Sequence, residues 1–436
     1  MFKICFLGAG STVFAKNLLG DCIVTPEFGP FEIALHDIDN KRLEESKVII
    51  ENINKKYNGK AAVKAYQKRA DALKDAGYVI NAVQIGGYEP CTVTDFEIPK
   101  KYGLRQTIGD TLGIGGIFRA LRTIPVLEDF AEDMRKFCPN AWFLNYTNPM
   151  AILTGYLITQ LNIKTVGLCH GVQVCIPGLL SSVGMENHIA SAKSEIAGIN
   201  HQAWLLKITD ENDNDLYPEI KRRSLSGKYA DKMQWDLVRH DMMHRFGYYC
   251  TESSEHAAEY LPYYIKSKYP AIIDTLKIPL DEYPRRCIQQ IADWAKLKES
   301  MMSDALEHSL SNEFAAPMIK AMEFDIPYRA HGNVINNGLI TNLPDDACVE
   351  LACLIDRNGV NPTYVGKLPE QLAAINRTNI NVQLLTVEAA KTRKKDAVYQ
   401  AAYLDPHTAS ELSLDEIKSM CDDLFEAHGN WLPKYK

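Results

Sequence analysis

Thiolate and imidazole side chains are donors for divalent transition metals, and this chain places one of each where a ligand would lie. Cys169 follows Lys164-Thr165-Val166-Gly167-Leu168, an apolar run that reads as a buried strand, and precedes His170 and Gly171. His201 closes a second motif, Gly198-Ile199-Asn200-His201. Two protein ligands leave coordination positions open, which suits a catalytic ion rather than a structural one. A lone cysteine is more often core filler, so the pair gains its weight from the start of the chain.

There Gly8-Ala9-Gly10-Ser11 directly follows the apolar run Lys3–Leu7 and opens a helical pattern, the context a dinucleotide fingerprint requires. Gly8 permits the tight turn, and Gly10 and Ser11 let backbone approach a pyrophosphate at the helix N-terminus. The third glycine is missing, its region held by Val13 and Phe14. Asp37 ends the second strand pattern, where it would bond ribose hydroxyls and favour NAD over NADP. Asn81, ahead of Val83-Gln84-Ile85-Gly86-Gly87, ends another strand and is expected to line the nicotinamide side, since ligands lie beyond the carboxyl ends of strands.

Other polar groups converge on the same ends. Asn148, in Asn145-Tyr146-Thr147-Asn148-Pro149, follows a strand and precedes a proline suited to a first helical turn. It either caps that helix or bridges two sugar hydroxyls. Asp110 lies in the glycine-rich stretch Arg105–Gly116, where it would orient a nearby acid or base. Thr251–Tyr264 is dense in proton-transfer groups, among them Glu252, His256, Glu259 and Tyr260. A tyrosine is a base only if a metal or cation lowers its pKa.

The elements that must position these groups read as α/β. Residues 1–195 alternate apolar runs with amphipathic stretches, the pattern of a Rossmann-type parallel sheet. Strands are expected at Lys3–Leu7, Glu32–Asp37, Tyr78–Val83, Ala141–Asn145 and Thr165–Cys169. Helices are expected at Ser11–Val24, Asn40–Tyr57, Asp71–Ala76, Arg119–Phe137 and Pro149–Leu161. Residues 196–436 read as an α+β substrate, metal and oligomerisation domain, with sheet at Gly198–Thr209 and Gly332–Leu343. Its helices are expected at Ala230–Arg245, Leu280–His308, Gln371–Leu404 and Asp415–His428. No linker separates the halves, so the second packs on the first.

Composition narrows the class. The 436 residues are 46% hydrophobic and 24% charged with a net charge of −7, an ordinary globular profile. That balance argues against nucleic-acid and anionic-membrane partners, because nothing neutralises phosphates in bulk. The basic run Lys391–Lys395 reads as a solvated helix face. Eleven cysteines are scattered singly, without disulfide or zinc-knuckle spacing. The N-terminus lacks a signal-peptide layout, and no apolar run nears the ~18 residues that span a bilayer. A soluble protein of a reducing cytoplasm is expected.

Together, Gly8–Ser11, Asp110, Asn145–Pro149, Cys169-His170, Gly198–His201, Pro284-Arg285-Arg286 and Leu368–Gln371 resemble glycoside hydrolase family 4 over essentially the whole chain. Thr251–Tyr260 and Ile108–Arg122 are most similar to its bacterial intracellular α-galactosidases. The resemblance implies a lactate/malate dehydrogenase-like N-terminal fold, NAD and a divalent metal such as Mn2+, and cleavage of unphosphorylated α-galactosides of the melibiose type. It implies redox elimination, an exception to two-carboxylate glycoside hydrolysis. NAD takes hydride from C3, a base removes the C2 proton beside the metal, the aglycone leaves C1, water adds, and the steps reverse. Carried over by position, Cys169 and His201 are metal ligands, and Asn148 and Arg285 bind substrate. His170 protonates the leaving group, Asp110 raises the basicity of the base, and Tyr260 is that base, with His256 and Glu259 as alternatives. The partner implied is a small glycoside, and the assembly a homodimer or homotetramer. Gly171 stands where α-galactosidases commonly carry Ser, so α-glucosidase and α-galacturonidase remain alternatives. A 2-hydroxy-acid dehydrogenase and a non-catalytic NAD or sugar binder are the distant ones.

Overall fold

The computed structural model describes residues 1–303 and 306–436. Among them, twelve strands form one sheet: β1 (Lys3–Leu7), β2 (Phe31–His36), β3 (Ala61–Tyr66), β4 (Tyr78–Asn81), β5 (Trp142–Asn145), β6 (Thr165–Gly167), β7 (Lys193–Ile199), β8 (Gln202–Thr209), β9 (Tyr249–Cys250), β10 (Tyr328–Ile335), β11 (Cys348–Asp356) and β12 (Gly359–Pro362). Their order is β3-β2-β1-β4-β5-β6-β10-β11-β7-β8-β9, with β12 paired to β11. The first six run parallel; from β10 onward every pairing is antiparallel. β2 and β4 are buried at every position, as parallel strands covered by helices on both faces must be.

The first half follows the apolar pattern closely. Helix Asn40–Lys56 buries Leu43, Ile49, Ile50 and Ile53 on one stripe, and Asp39 caps it by accepting from the Lys41 and Arg42 amides. β3 was not anticipated; it alternates half-buried alanine and valine with exposed positions at the sheet edge. The helix expected from Arg119 begins at Gly113. A Cβ at Gly115 or Gly116 would strike the Gly109 or Thr111 backbone, at 2.3 and 2.7 Å, so glycine there permits close packing and does not break the helix.

The second half departs further. The stretch Gln371–Leu404 is two helices, Glu370–Thr392 and Lys395–Leu404, broken where Arg393 turns left-handed (φ 56°) and its guanidinium pairs with Glu128 at 2.6 Å. Ala230–Arg245 likewise splits into Ala230–Met233 and Leu237–Phe246, at the buried Asp236 that binds Arg239, Tyr249 and Ser254. Helix Glu282–Met301 is shorter than expected, and residues 304–305 of that expectation lie outside the described residues. The halves on either side of residue 195 share the sheet, because β6 pairs β10 and β11 pairs β7. No helix of the described residues is long and apolar enough to cross a membrane.

Glu350 lies at this junction, opposite Asn333 on β10 and Gly198 on β7. It is 1% exposed and accepts from Asn333 Nδ2 (3.1 Å) and Asn200 Nδ2 (3.5 Å). Burial pushes its carboxyl up to about 8, against the lowering effect of both amides. The fold therefore holds a proton that the unfolded chain releases. Its contribution is complete below the ordinary glutamate range and is lost as pH rises through about 8. Glu350→Gln is expected to raise Tm at about pH 8 and flatten its fall between about pH 5 and 8, an effect of up to a few kcal/mol at ~1.4 kcal/mol per pH unit. A calorimetric series in which the variant keeps the parent's slope contradicts this.

Candidate metal and dinucleotide site

Cys169 lies two residues beyond β6, where Leu168 N still bonds Asn145 O at 2.9 Å. The chain then enters helix Gly171–Ser182, and Gly171 N approaches Cys169 Sγ at 3.5 Å. His201 arrives on a hairpin. Ile199 pairs with Gln202, which leaves Asn200 and His201 as a two-residue turn. His201 takes φ 60°, a conformation that a turn of this kind normally gives to glycine or asparagine. Its surroundings over-determine it: Asn376 Nδ2 donates to Gln202 O (2.8 Å), Asn379 Nδ2 to Gln202 Oε1 (2.9 Å), and Tyr260 Oη to Asn200 O (3.3 Å).

A third donor was not foreseen. Glu252, two residues past β9 and also left-handed at φ 69°, places Oε2 3.6 Å from Cys169 Sγ and 3.6 Å from His201 Nε2. One donor atom from each residue lies within 4.8 Å of the others. The sequence singled out the Thr251–Tyr264 segment but gave no spacing that joins Glu252 to residues 169 and 201. Two strained non-glycine backbones facing one another are a mark of a functional site.

The protonation states suit a cation. Burial lowers His201 to about 4, despite Glu252 beside it, so the ring is neutral at neutral pH. Burial alone would raise Glu252; the protonated forms of His201, His256 and His170, with Arg239, act the other way and bring its carboxyl down to about 2. Its ionised form is thus favoured and remains available to a positive ion. Burial, with Glu252 and Glu350 nearby, raises the Cys169 thiol, so its thiolate forms only when a metal displaces the proton. His201 Nδ1 is buried without a partner.

His256 stands next to this cluster, its ring edge-on to His201 at 4.3 Å. Nδ1 meets Ser253 Oγ at 3.0 Å and lies 3.9 Å from Glu252 Oε1, while Nε2 faces Asp110 Oδ1 at 3.9 Å. Asp110 accepts from Asn148 Nδ2 (3.3 Å), and Asn148 Oδ1 is buried without a partner. Arg119, read from the sequence only as the start of a helix, donates from Nε to Asn148 O (3.2 Å) and from Nη1 to Tyr283 Oη (3.2 Å). Asp110, Asn148, Cys169, His201 and His256 are therefore one connected cluster.

Other expected residues sit differently. His170 is adjacent but half-exposed, 3.8 Å from Glu313. Tyr260 is 1% exposed with its hydroxyl donated to Asn200 O; burial and the carboxylates of Asp110 and Glu252 raise its pKa. Glu259 is spent on three backbone amides, Thr107, Ile108 and Gly109, at 2.5, 3.2 and 3.1 Å. Arg285 does not join the cluster: its guanidinium pairs with Glu282 at 2.7 Å and bonds Leu280 O on an exposed helix face. The Pro284-Arg285-Arg286 segment delivers the neighbouring Tyr283 instead.

The glycine turn lies at the adjoining strand ends. Gly8 takes φ 88°, and a Cβ there would stand 2.8 Å from Ala82 O. Ser11 precedes helix Thr12–Val24, and its Oγ is buried without a partner, as an anion site at a helix N-terminus requires. Asp37 Oδ2 accepts from Gly10 N at 2.7 Å and Oδ1 from Asp39 N at 2.9 Å, so it also closes the turn. Asn81 is fully buried and donates to Asn145 Oδ1 (2.9 Å) and Thr147 Oγ1 (3.2 Å). It ties the ends of β4 and β5 together, and its Oδ1 is buried without a partner.

Comparison with known proteins finds relatives over the whole chain. The pattern described as Family 4 glycosyl hydrolase matches residues 3–185, and its C-terminal domain matches residues 196–408. An α-galactosidase of Bacillus subtilis (strain 168) is 59% identical over 437 residues, covering 100% of both chains. An α-galactosidase of Rhizobium meliloti (strain 1021) is 35% identical, covering 100% of this chain and 90% of its own length. A crystal structure of a 6-phospho-alpha-glucosidase from gut microorganisms, in complex with NAD and Mn2+, shares the fold with a TM-score of 0.81 at 20% identity, covering 100% of each chain.

Proposed function

From the premise that this chain belongs to family 4 of the glycosyl hydrolases, we propose that it hydrolyses unphosphorylated α-galactosides with bound NAD and a divalent metal, Mn2+ first among them. The observation that carries the reading is the convergence of Cys169, His201 and Glu252 donors beside Asp110 and Asn148, at strand ends next to the Gly8–Ser11 turn.

The residues fit both cofactors. Cys169 and His201 would hold the ion; Gly8, Gly10 and the unpartnered Ser11 hydroxyl would hold the pyrophosphate, with Asp37 at the ribose. When bound, NAD accepts and returns a hydride at sugar C3 and the ion polarises the neighbouring sugar oxygens. The protein does the rest. Asn148, its carbonyl held by Arg119 and its amide by Asp110, offers a free Oδ1 to a sugar hydroxyl. His256 takes the C2 proton on Nε2, in the tautomer whose Nδ1–H donates to Ser253, and Asp110 stabilises the imidazolium. This moves the base from Tyr260, whose hydroxyl is engaged and whose ionisation its carboxylate neighbours oppose. His170, half-exposed at the cleft, gives its proton to the departing glycosidic oxygen. Water then adds at C1, the proton and hydride return, and galactose and the free alcohol leave.

We also place the enzyme in the cytoplasm, as a homodimer or homotetramer. Ile288, Ile291 and Leu297, exposed on helix Glu282–Met301, support an assembly that covers them.

The expected result is cleavage of p-nitrophenyl α-galactoside that disappears when NAD is stripped or EDTA is added and returns with NAD and Mn2+. A panel of α-linked gluco- and galacturono-analogues is expected to react more slowly. Cleavage indifferent to NAD would sink the reading.

A further inference from the structure

Gly171 opens helix Gly171–Ser182 immediately after Cys169-His170. A Cβ built on it would stand 2.2 Å from Glu252 Oε2 and 3.6 Å from Cys169 Sγ. No pair of unbonded atoms tolerates the first distance. Any side chain at 171 must therefore displace the Glu252 carboxylate, which ends a flexible side chain and yields before the backbone does. The position of Glu252 is thus conditional on glycine at 171. The carboxylate is held there with little else to account for it: its oxygens face Cys169, His201 and His256 at 3.6, 3.6 and 3.9 Å, and its backbone is left-handed. A carboxyl group kept at the meeting point of a thiol and an imidazole, without a salt-bridging lysine or arginine of its own among the described residues, is placed to meet a cation.

We propose that Glu252 is a third protein donor to the divalent ion, and that Gly171 is the residue that admits it. The proposal rests on the reading of Cys169 and His201 as metal ligands. Its chemical consequence is selectivity. Thiolate and imidazole favour softer ions, whereas a carboxylate oxygen adds preference for a harder one such as Mn2+. The residue after Cys-His therefore acts on the metal rather than only on the sugar.

The test titrates the full chain, with NAD present, against Mn2+ and separately Cd2+. Free Mn2+ is followed by electron paramagnetic resonance and Cd2+ by calorimetry. Glu252→Gln, which keeps the size and removes the charge, is expected to weaken Mn2+ binding by at least the ~10–100-fold that loss of an outer contact costs. Cd2+ binding, dominated by Cys169 and His201, should fall much less, so the Mn2+/Cd2+ affinity ratio drops about tenfold or more. Gly171→Ala is expected to produce the same shift. The double variant should bind Mn2+ no more weakly than Glu252→Gln alone, since both changes remove one contact. Unchanged NAD binding certifies that each variant is folded. Glu252→Gln with the parent's Mn2+ affinity, or with equal losses for both ions, overturns the proposal; additive losses in the double variant overturn the role of Gly171. Failure of the unaltered protein to bind either ion overturns the underlying reading as well, and is recognised without any variant.

Discussion

Cys169→Ser is expected to lower kcat/KM for p-nitrophenyl α-galactoside by about 10³-fold or more, some 4 kcal/mol of transition-state stabilisation. A serine hydroxyl fits the same space but does not surrender its proton at neutral pH, so the centre keeps His201 and Glu252 and loses its strongest donor. The defect should be accompanied by weakened Mn2+ binding and partly relieved at high Mn2+, because the remaining donors still converge. NAD binding should be unchanged: the hydrogen bonds of Cys169 run to Glu252 and Gly171, and Asp37 bonds Gly10 in the glycine turn. Ten of the eleven cysteines are buried and Cys169 alone is partly open, so a thiol reagent offers a second measurement, with modification at Cys169 slowed by Mn2+. Full activity in the variant would remove Cys169 from the centre.

The sequence made one half of this site legible and concealed the other for a physical reason. In the parallel half, every strand but the edge strand β3 is an apolar run; Asn81 is the last residue of β4, and Asn148 and Cys169 follow β5 and β6 by three and two positions. Asn81, Asn148 and Cys169 could therefore be placed by counting from a run. Glu252, Arg119 and Glu350 have no such anchor. Glu252 follows a strand of only two residues, Tyr249–Cys250, too short for a period to register. Arg119 is a buried arginine inside a helix whose glycine-rich start reads as loop, and nothing local reveals that its guanidinium is held by Asn148 and Tyr283. Glu350 reads as a break in an apolar run, yet its partners Asn333 and Asn200 come from β10 and the β7–β8 turn. Tertiary contacts separate the alternatives the sequence left open: Glu259 anchors backbone amides, Tyr260 packs beneath the His201 turn, and of the three only His256 keeps a ring nitrogen without a hydrogen bond, the feature on which the proposed base rests. Arg285 shows the opposite failure, a residue carried by motif position to an outward helix face.

The assignment of the base yields the second large effect. His256→Gln is expected to lower kcat by about 10²–10⁴-fold, the usual span for loss of a general base, while Tyr260→Phe lowers it by less than about tenfold. The contrast follows from what each group already does. Removing the Tyr260 hydroxyl forfeits one hydrogen bond to Asn200 O at 3.3 Å, a contact worth about 1 kcal/mol, and loosens the turn that carries His201. Removing the His256 imidazole deletes the one titratable nitrogen poised between Asp110 and Glu252. Asp110→Asn should reproduce part of the loss, because it withdraws the charge that stabilises the protonated ring while leaving an acceptor for Asn148. Proton exchange at C2 separates chemistry from binding: incubation of the product sugar in deuterated buffer should exchange that position with the parent enzyme and with Tyr260→Phe, and fail to do so with His256→Gln. The reverse order of exchange rates would return the role to Tyr260 and leave His256 as a support for the metal-binding turn.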